Sequence, residues 1–334
     1  MQNTATKVVV LGTGGTIAGT AAQPGDNIGY TAAQLGAAQL VSAIPALQSV
    51  PIEVEQVAQL NSKDMEFAVW LRLAQAVDRN MSRADVQSVV ITHGTDTLEE
   101  TAYFLQRVLA PAKPVVLVAA MRPATSLQSD GPQNLLDAIH VAREPGARGV
   151  LAVLAGKVHS GLAVRKVHPY RLDAFGSGDA GLVAHVEEGS VRRHREWPEG
   201  EPFGLDRMPA DADAWPRVEI VTSHAGASAW LVPALCDAGV EGIVVAGTGN
   251  GSVHHAMETA LLAAQDAGIA ILRCTRCLDG GVIDADESVG ALPSAGTLTP
   301  VQARIELMLR LLAQRSRHTP GARAEGRKLR ARSA

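Results

Sequence analysis

Two short stretches place nucleophilic and acid–base side chains where a chain reverses tightly. Gly12-Thr-Gly-Gly-Thr-Ile-Ala-Gly19 sets the Thr16 hydroxyl among glycines, whose backbone N–H groups are free to face a developing oxyanion. Thr92-His-Gly-Thr-Asp-Thr97 gathers three hydroxyls, an imidazole and a carboxylate within six residues. A hydroxyl needs a neighbouring base or proton relay to act as a nucleophile at neutral pH, and Thr16, Thr95 and Asp96 supply the parts of such an arrangement. The plainer alternative is that Thr16 bonds its own loop backbone, and that the second stretch is a helix cap.

Both stretches need an element before and after them. Lys7–Leu11 and Val86–Ile91 are apolar runs of strand length, so each stretch sits at the C-terminal end of a buried strand. After the second, Leu98, Ala102, Leu105 and Val108 recur at helical spacing. Thr97 fits the N-cap of that helix, with Glu100 as its capping-box partner. The mouth of an open α/β sheet, at strand C-termini and helix N-termini, is where such a sheet binds ligands. Gly12 and Gly14 begin a dinucleotide fingerprint, but Ile17 holds its third glycine position, and no phosphate-cradling G-x-x-x-x-G-K-[S/T] loop is present.

Residues 20–31 lack periodicity and are rich in turn formers, a composition suited to a lid with Tyr30 at its far end. Further strands are expected at Ile52–Glu55, Pro114–Ala120 and Gly149–Leu154, alternating with helices after Ser62 and after Ser129-Asp-Gly-Pro132. This alternation implies a mostly parallel sheet. Hydrophobic period is lost over 187–214, where charged residues mix with proline and glycine. Beyond it, Arg217–Thr222, Gly242–Ala246 and Ala270–Arg273 read as strands of a smaller α/β domain, and Thr299-Pro-Val-Gln302 opens a last helix with a capping box. The expected division is 1–189, a linker at 190–213, and 214–334 with a basic tail from about 318.

The 334 residues suit two domains, at roughly 100–200 residues each. Only 3% aromatic residues and a net charge of −4 argue against a nucleic-acid partner. Cys236, Cys274 and Cys277 are too few for a disulfide framework, and Cys274-Thr-Arg-Cys277 has no further zinc ligands close by, so two strand cysteines are expected there. No apolar run approaches the ~20 residues of a membrane span, and no signal sequence is evident. A cytoplasmic protein is expected, with neither metal nor membrane contact.

Together these motifs resemble the bacterial-type L-asparaginase/glutaminase family. The resemblance rests on Thr13–Gly19 and Thr92–Thr97, and continues through Met121-Arg-Pro123, Ser129–Pro132, Asn134-Leu135, Gly247-Thr-Gly-Asn-Gly251 and Gly296-Thr-Leu-Thr-Pro300. It implies a cofactor-free amidohydrolase with a larger N-terminal flavodoxin-like domain and a smaller C-terminal α/β domain. It also implies a homotetramer of tight dimers, each site shared with a neighbour's C-terminal domain. By resemblance, Thr16 is the nucleophile toward the side-chain amide of L-asparagine, and Tyr30 bonds it when the lid closes. Thr95, Asp96 and Lys166 form the second cluster, Lys166 being selected over Lys157 and Arg165 by its spacing to Phe175-Gly-Ser177. Ser62 holds the substrate α-carboxylate, and Asp96 suits its α-ammonium. The Gly15 and Thr95 N–H groups are oxyanion donors, and the Ala120 carbonyl receives the departing ammonia.

Lys63 departs from the glutamine common at that position. It is expected to point outward or pair with a carboxylate, with weak glutaminase activity as the result. The neighbour contributes Asn250 and an acid from Asp284-Ala-Asp-Glu287, named as Glu287 although counting from Gly296 favours Asp284. Two other readings share some of these motifs: the amidase subunit of a tRNA amidotransferase, and a non-enzymatic aspartate-binding module.

Overall fold

Buried valine- and leucine-rich runs make the strands of a large sheet in the computed structural model, which describes residues 6–23, 25–284 and 292–318. The chain divides into two units, Met1–Leu205 and Asp206–Ala334. The first contains β1 (Lys7–Gly14), α1 (Ala37–Ser42), β2 (Ile52–Leu60), α2 (Phe67–Met81), β3 (Val86–Thr92), α3 (Leu98–Leu109), β4 (Pro114–Val118), α4 (Gly131–Ala142) and β5 (Gly149–Leu154). β6 (Lys157–Ser160), the two-residue pair β7 (Arg165–Lys166) and β8 (Phe175–Gly176), β9 (Ala184–Glu187) and β10 (Ser190–Arg193) follow.

The sheet runs β10-β9-β6-β5-β4-β3-β1-β2. β2 through β5 are parallel, and β6, β9 and β10 extend the sheet in antiparallel pairings. Parallel strands in a central sheet are apolar on both sides, and β3, β4 and β5 are buried almost throughout. One face packs Val8, Val10, Val90, Val116, Val118 and Leu151 against Leu40 of α1 and Leu135 and Ile139 of α4. α2 and α3 contact one another and strands β2, β3 and β5. The order β2-β1-β3-β4-β5 is the expected flavodoxin-like arrangement, and its direction reverses between β1 and β3.

Three sequence expectations change in detail. Thr97 does stand before the first turn of α3, but its hydroxyl makes no cap bond; it donates to the Ser62 carbonyl at 2.8 Å. Part of the stretch expected as linker, Ser190–Arg193, pairs with β9 as an edge strand. Cys274 is buried in a strand, whereas Cys277 lies beyond that strand's end and is exposed.

The second unit holds β11 (Val218–Thr222), α5 (Leu231–Asp237), β12 (Gly242–Gly247), α6 (His255–Asp266), β13 (Ala270–Thr275) and α7 (Pro300–His318). Its three strands are parallel, in the order β11-β12-β13. Reciprocal bonds between Thr299 and Gln302 form the capping box expected at α7. Glu287, Asp286 and the basic tail fall outside the described residues.

Candidate active site

At a strand-order reversal, the connections after two adjacent strands part to opposite faces and leave a crevice between them. Here those connections are the Gly15–Gly19 turn after β1 and the His93–Thr97 turn after β3. Glycine lets them touch. Gly15 has φ +84°, and a Cβ there would lie 2.3 Å from the Gly94 Cα. A Cβ on Gly94 would lie 2.4 Å from the Ser62 Oγ. The Thr13 hydroxyl ties the first turn to the Thr92 carbonyl at 2.9 Å.

Thr16 opens a short 3₁₀ turn and is largely buried. Its hydroxyl lies 2.7 Å from the Tyr30 hydroxyl. Tyr30 reaches it because residues 20–31 form a loop pinched at its base, where Thr20 and Thr31 exchange backbone bonds of 2.9 Å. The Tyr30 ring also packs over Gly19, whose Cβ would clash with it. The loop is tied to the Thr125–Ser126 segment, with Asn27 accepting from the Ser126 hydroxyl and the Ala21 N–H donating to Thr125.

The second cluster is centred on Lys166. Pairing of β7 with β8 sets Lys166 opposite Phe175. Its Nζ donates to the Thr95 hydroxyl at 2.9 Å and to the Asp96 carboxylate at 2.7 Å. Lys157 instead pairs with Asp173, so of these two lysines only Lys166 contacts Thr95. Behind it, Glu99 accepts weakly from the Lys166 backbone N–H. Burial pushes the Glu99 carboxyl up to about 7, only partly offset by that bond.

Ser62 and its surroundings brace the turn. The Ser62 hydroxyl accepts the Asp96 N–H at 3.2 Å, and its carbonyl accepts the Thr97 hydroxyl. Lys63 points outward and pairs with Asp64 at 2.8 Å, as expected from its poor fit beside an ammonium. Asp130 accepts from the Met121 and Arg122 N–H groups and from Asn134, fixing the end of β4 on α4. Ala120 is fully buried just beyond β4.

One expected donor is corrected. The Gly15 N–H is spent on the Leu60 carbonyl at 3.0 Å, because β1 continues its pairing with β2 through Gly14. The Thr16 N–H, at the first position of its turn, has no acceptor within the turn. Gly15 contributes backbone conformation instead. In the second unit, the Asn250 side chain bonds both ways to the Ile283 backbone at 2.8 Å, and Asp284 pairs with Arg273. Asn250 therefore holds the backbone at Ile283. Sequence reasoning missed Thr101 and Trp70, which bond one another beneath the site. The available signal was a threonine on the apolar face of α3. No group of residues suited to hold a metal occurs among the described residues.

Residues 7–199 match the family model described as "Asparaginase, N-terminal", and residues 217–319 match "Glutaminase/Asparaginase C-terminal domain". The chain is 36% identical over 314 residues to L-asparaginase 2 of Escherichia coli (strain K12), covering 91% of this chain and 88% of that protein. It is 37% identical over 315 residues to the probable periplasmic L-asparaginase of Haemophilus influenzae, covering 91% and 88%. A crystal structure of a probable cytoplasmic L-asparaginase from Campylobacter jejuni superimposes with a TM-score of 0.86 at 35% identity, covering 92% of this chain and 95% of that one.

Proposed function

The chain belongs to the asparaginase/glutaminase family, and on that footing we propose that it hydrolyses the side-chain amide of L-asparagine to L-aspartate and ammonia through a threonine acyl-enzyme. The observation that supports this reading is the contact of the Gly15 and Gly94 turns, one leading into the Thr16–Tyr30 pair and the other into the Thr95–Lys166–Asp96 cluster.

Thr16 Oγ1 attacks the amide carbon, and the carbonyl electron pair moves onto oxygen. The Thr16 and Thr95 N–H groups receive that oxyanion. As the new C–O bond forms, the Thr16 hydroxyl proton passes to the relay made by the Thr95 hydroxyl and Lys166. That relay delivers the proton to the amide nitrogen, the oxyanion re-forms the carbonyl as the C–N bond breaks, and ammonia departs past the Ala120 carbonyl. Water then attacks the ester and the C–O bond to Thr16 breaks; one water proton restores the Thr16 hydroxyl, the oxygen completes the aspartate carboxylate, and the second proton converts the released ammonia to ammonium. Ser62 receives the substrate α-carboxylate, and Asp96 the α-ammonium. A neighbouring subunit's C-terminal domain completes the site with Asn250 and an acid from 284–287, Glu287 by preference. Lys63, engaged by Asp64, leaves glutamine a poor substrate. Three unpaired cysteines favour the reducing cytoplasm.

Ammonia release from asparagine by purified enzyme tests the proposal. Thr16→Ala and Thr95→Ala should each lose roughly 10³-fold or more in kcat. Glutamine should turn over more slowly than asparagine. Retained activity in both variants would overturn the acyl-enzyme, and a requirement for tRNA would favour an amidotransferase subunit.

A further inference from the structure

His93 follows the last residue of β3 and is fully buried, yet it takes no part in the steps above. Both ring nitrogens are bonded. Nδ1 lies 2.7 Å from the Gly94 carbonyl oxygen, and Nε2 lies 3.0 Å from the Thr101 hydroxyl. That hydroxyl also accepts the Trp70 indole N–H at 2.9 Å. The two ends of this chain fix every role in it. A carbonyl only accepts, so Nδ1 carries the proton. Burial keeps the imidazole neutral, pushing its pKa down to about 4, so Nε2 is a bare acceptor. Thr101 therefore donates its single proton to Nε2 and accepts from Trp70, whose indole can only donate.

We propose that Trp70, Thr101 and His93 are positioning residues that aim the Thr95 N–H at the oxyanion. The Gly94 carbonyl and the Thr95 N–H belong to one planar trans peptide unit and point in opposite directions. Fastening the carbonyl to the buried His93 ring turns the N–H away from that ring. The fastening is needed because residue 94 must be glycine: a Cβ would strike Ser62 on one side and crowd Gly15 on the other. Glycine gives this peptide the freedom to rotate. A rotated peptide would present a carbonyl oxygen where negative charge develops. The Trp70 ring is itself held by stacking on Phe104 at 4.9 Å, so the chain is anchored in the packing between α2 and α3.

This inference rests on the Thr95 N–H being an oxyanion donor, and it is tested by measurements that separate it from the nucleophile. Thr101→Val keeps the side-chain shape and removes the hydroxyl; Thr101→Ser restores it. We expect Thr101→Val to lower kcat about 10-fold with KM within about twofold, the signature of an interaction that strengthens in the transition state. Thr101→Ser should recover most of the loss. If Thr101→Val does not fold, Trp70→Phe serves instead, with a kcat loss of a few-fold. In wild-type enzyme labelled with ¹⁵N-histidine, the His93 resonances should report a protonated Nδ1 and an unprotonated Nε2. A protonated Nε2, wild-type kcat in folded Thr101→Val, or a Thr101→Ser as impaired as the valine variant would overturn the proposal. An active Thr16→Ala would remove the acyl-enzyme yet leave the histidine tautomer unaffected, so the two readings fail separately.

Discussion

Lys166 holds Thr95 and Asp96 with one ammonium, with the Glu99 carboxylate on its backbone N–H. Burial raises the Glu99 carboxyl from the usual 4.5 to about 7. Between those values the folded chain binds more protons there than the unfolded chain, so this group's contribution to stability falls as pH rises. His93 and His159 behave oppositely: burial lowers both to about 4, and the stability of their neutral forms is complete above pH 6.5 and lost as pH falls toward 4. Glu99→Gln should therefore be more stable than wild type by a margin that widens from pH 5 to pH 8. Melting temperatures measured across that range check this, with a difference on the order of a few °C expected at the alkaline end. A constant gap would contradict the burial argument.

At the scale of elements, the site is made by turns that only glycine permits. Gly15→Ala combines a positive φ with a 2.3 Å approach to Gly94, whereas Gly146→Ala meets a positive φ with nothing within 4 Å. Urea unfolding should place the Gly15 variant about 2 kcal/mol or more below wild type and the Gly146 variant about 1 kcal/mol below. Ammonia release should vanish only in the Gly15 variant. The strands carrying these turns were legible in the sequence, because a central parallel strand is a continuous apolar run and Val86–Ile91 is one. So was the Thr299–Gln302 cap, whereas the grouping of Lys166 with Thr95 followed only from the family resemblance. The use of Thr97 was not legible: its spacing to Glu100 is that of a cap, but a residue from another loop, Ser62, claims its hydroxyl. Nor was the loss of the Gly15 N–H to Leu60, since strand pairing is a long-range fact. Ser190–Arg193 was hidden by its charge, which suits an exposed edge strand as well as it suits a linker.

For the whole molecule, one chain contains Thr16, Thr95 and Lys166 in its first unit, while Asn250 and the acidic segment belong to the second. If a neighbour's second unit completes each site, the active species is an assembly. Light scattering on the eluting enzyme should give about four times 34.9 kDa, with activity confined to that peak. A fully active monomer would contradict the shared site. Among the described residues no helix is long and apolar enough to cross a membrane.

The central claim is that the Thr16 oxygen becomes covalently acylated during turnover. Rapid acid quenching of enzyme saturated with asparagine, followed by peptide mass spectrometry, reads this directly. A β-aspartyl ester is expected on the peptide containing Thr16, and none in Thr16→Ala. An ester on Thr95 instead, or undiminished ammonia release by Thr16→Ala, would contradict it.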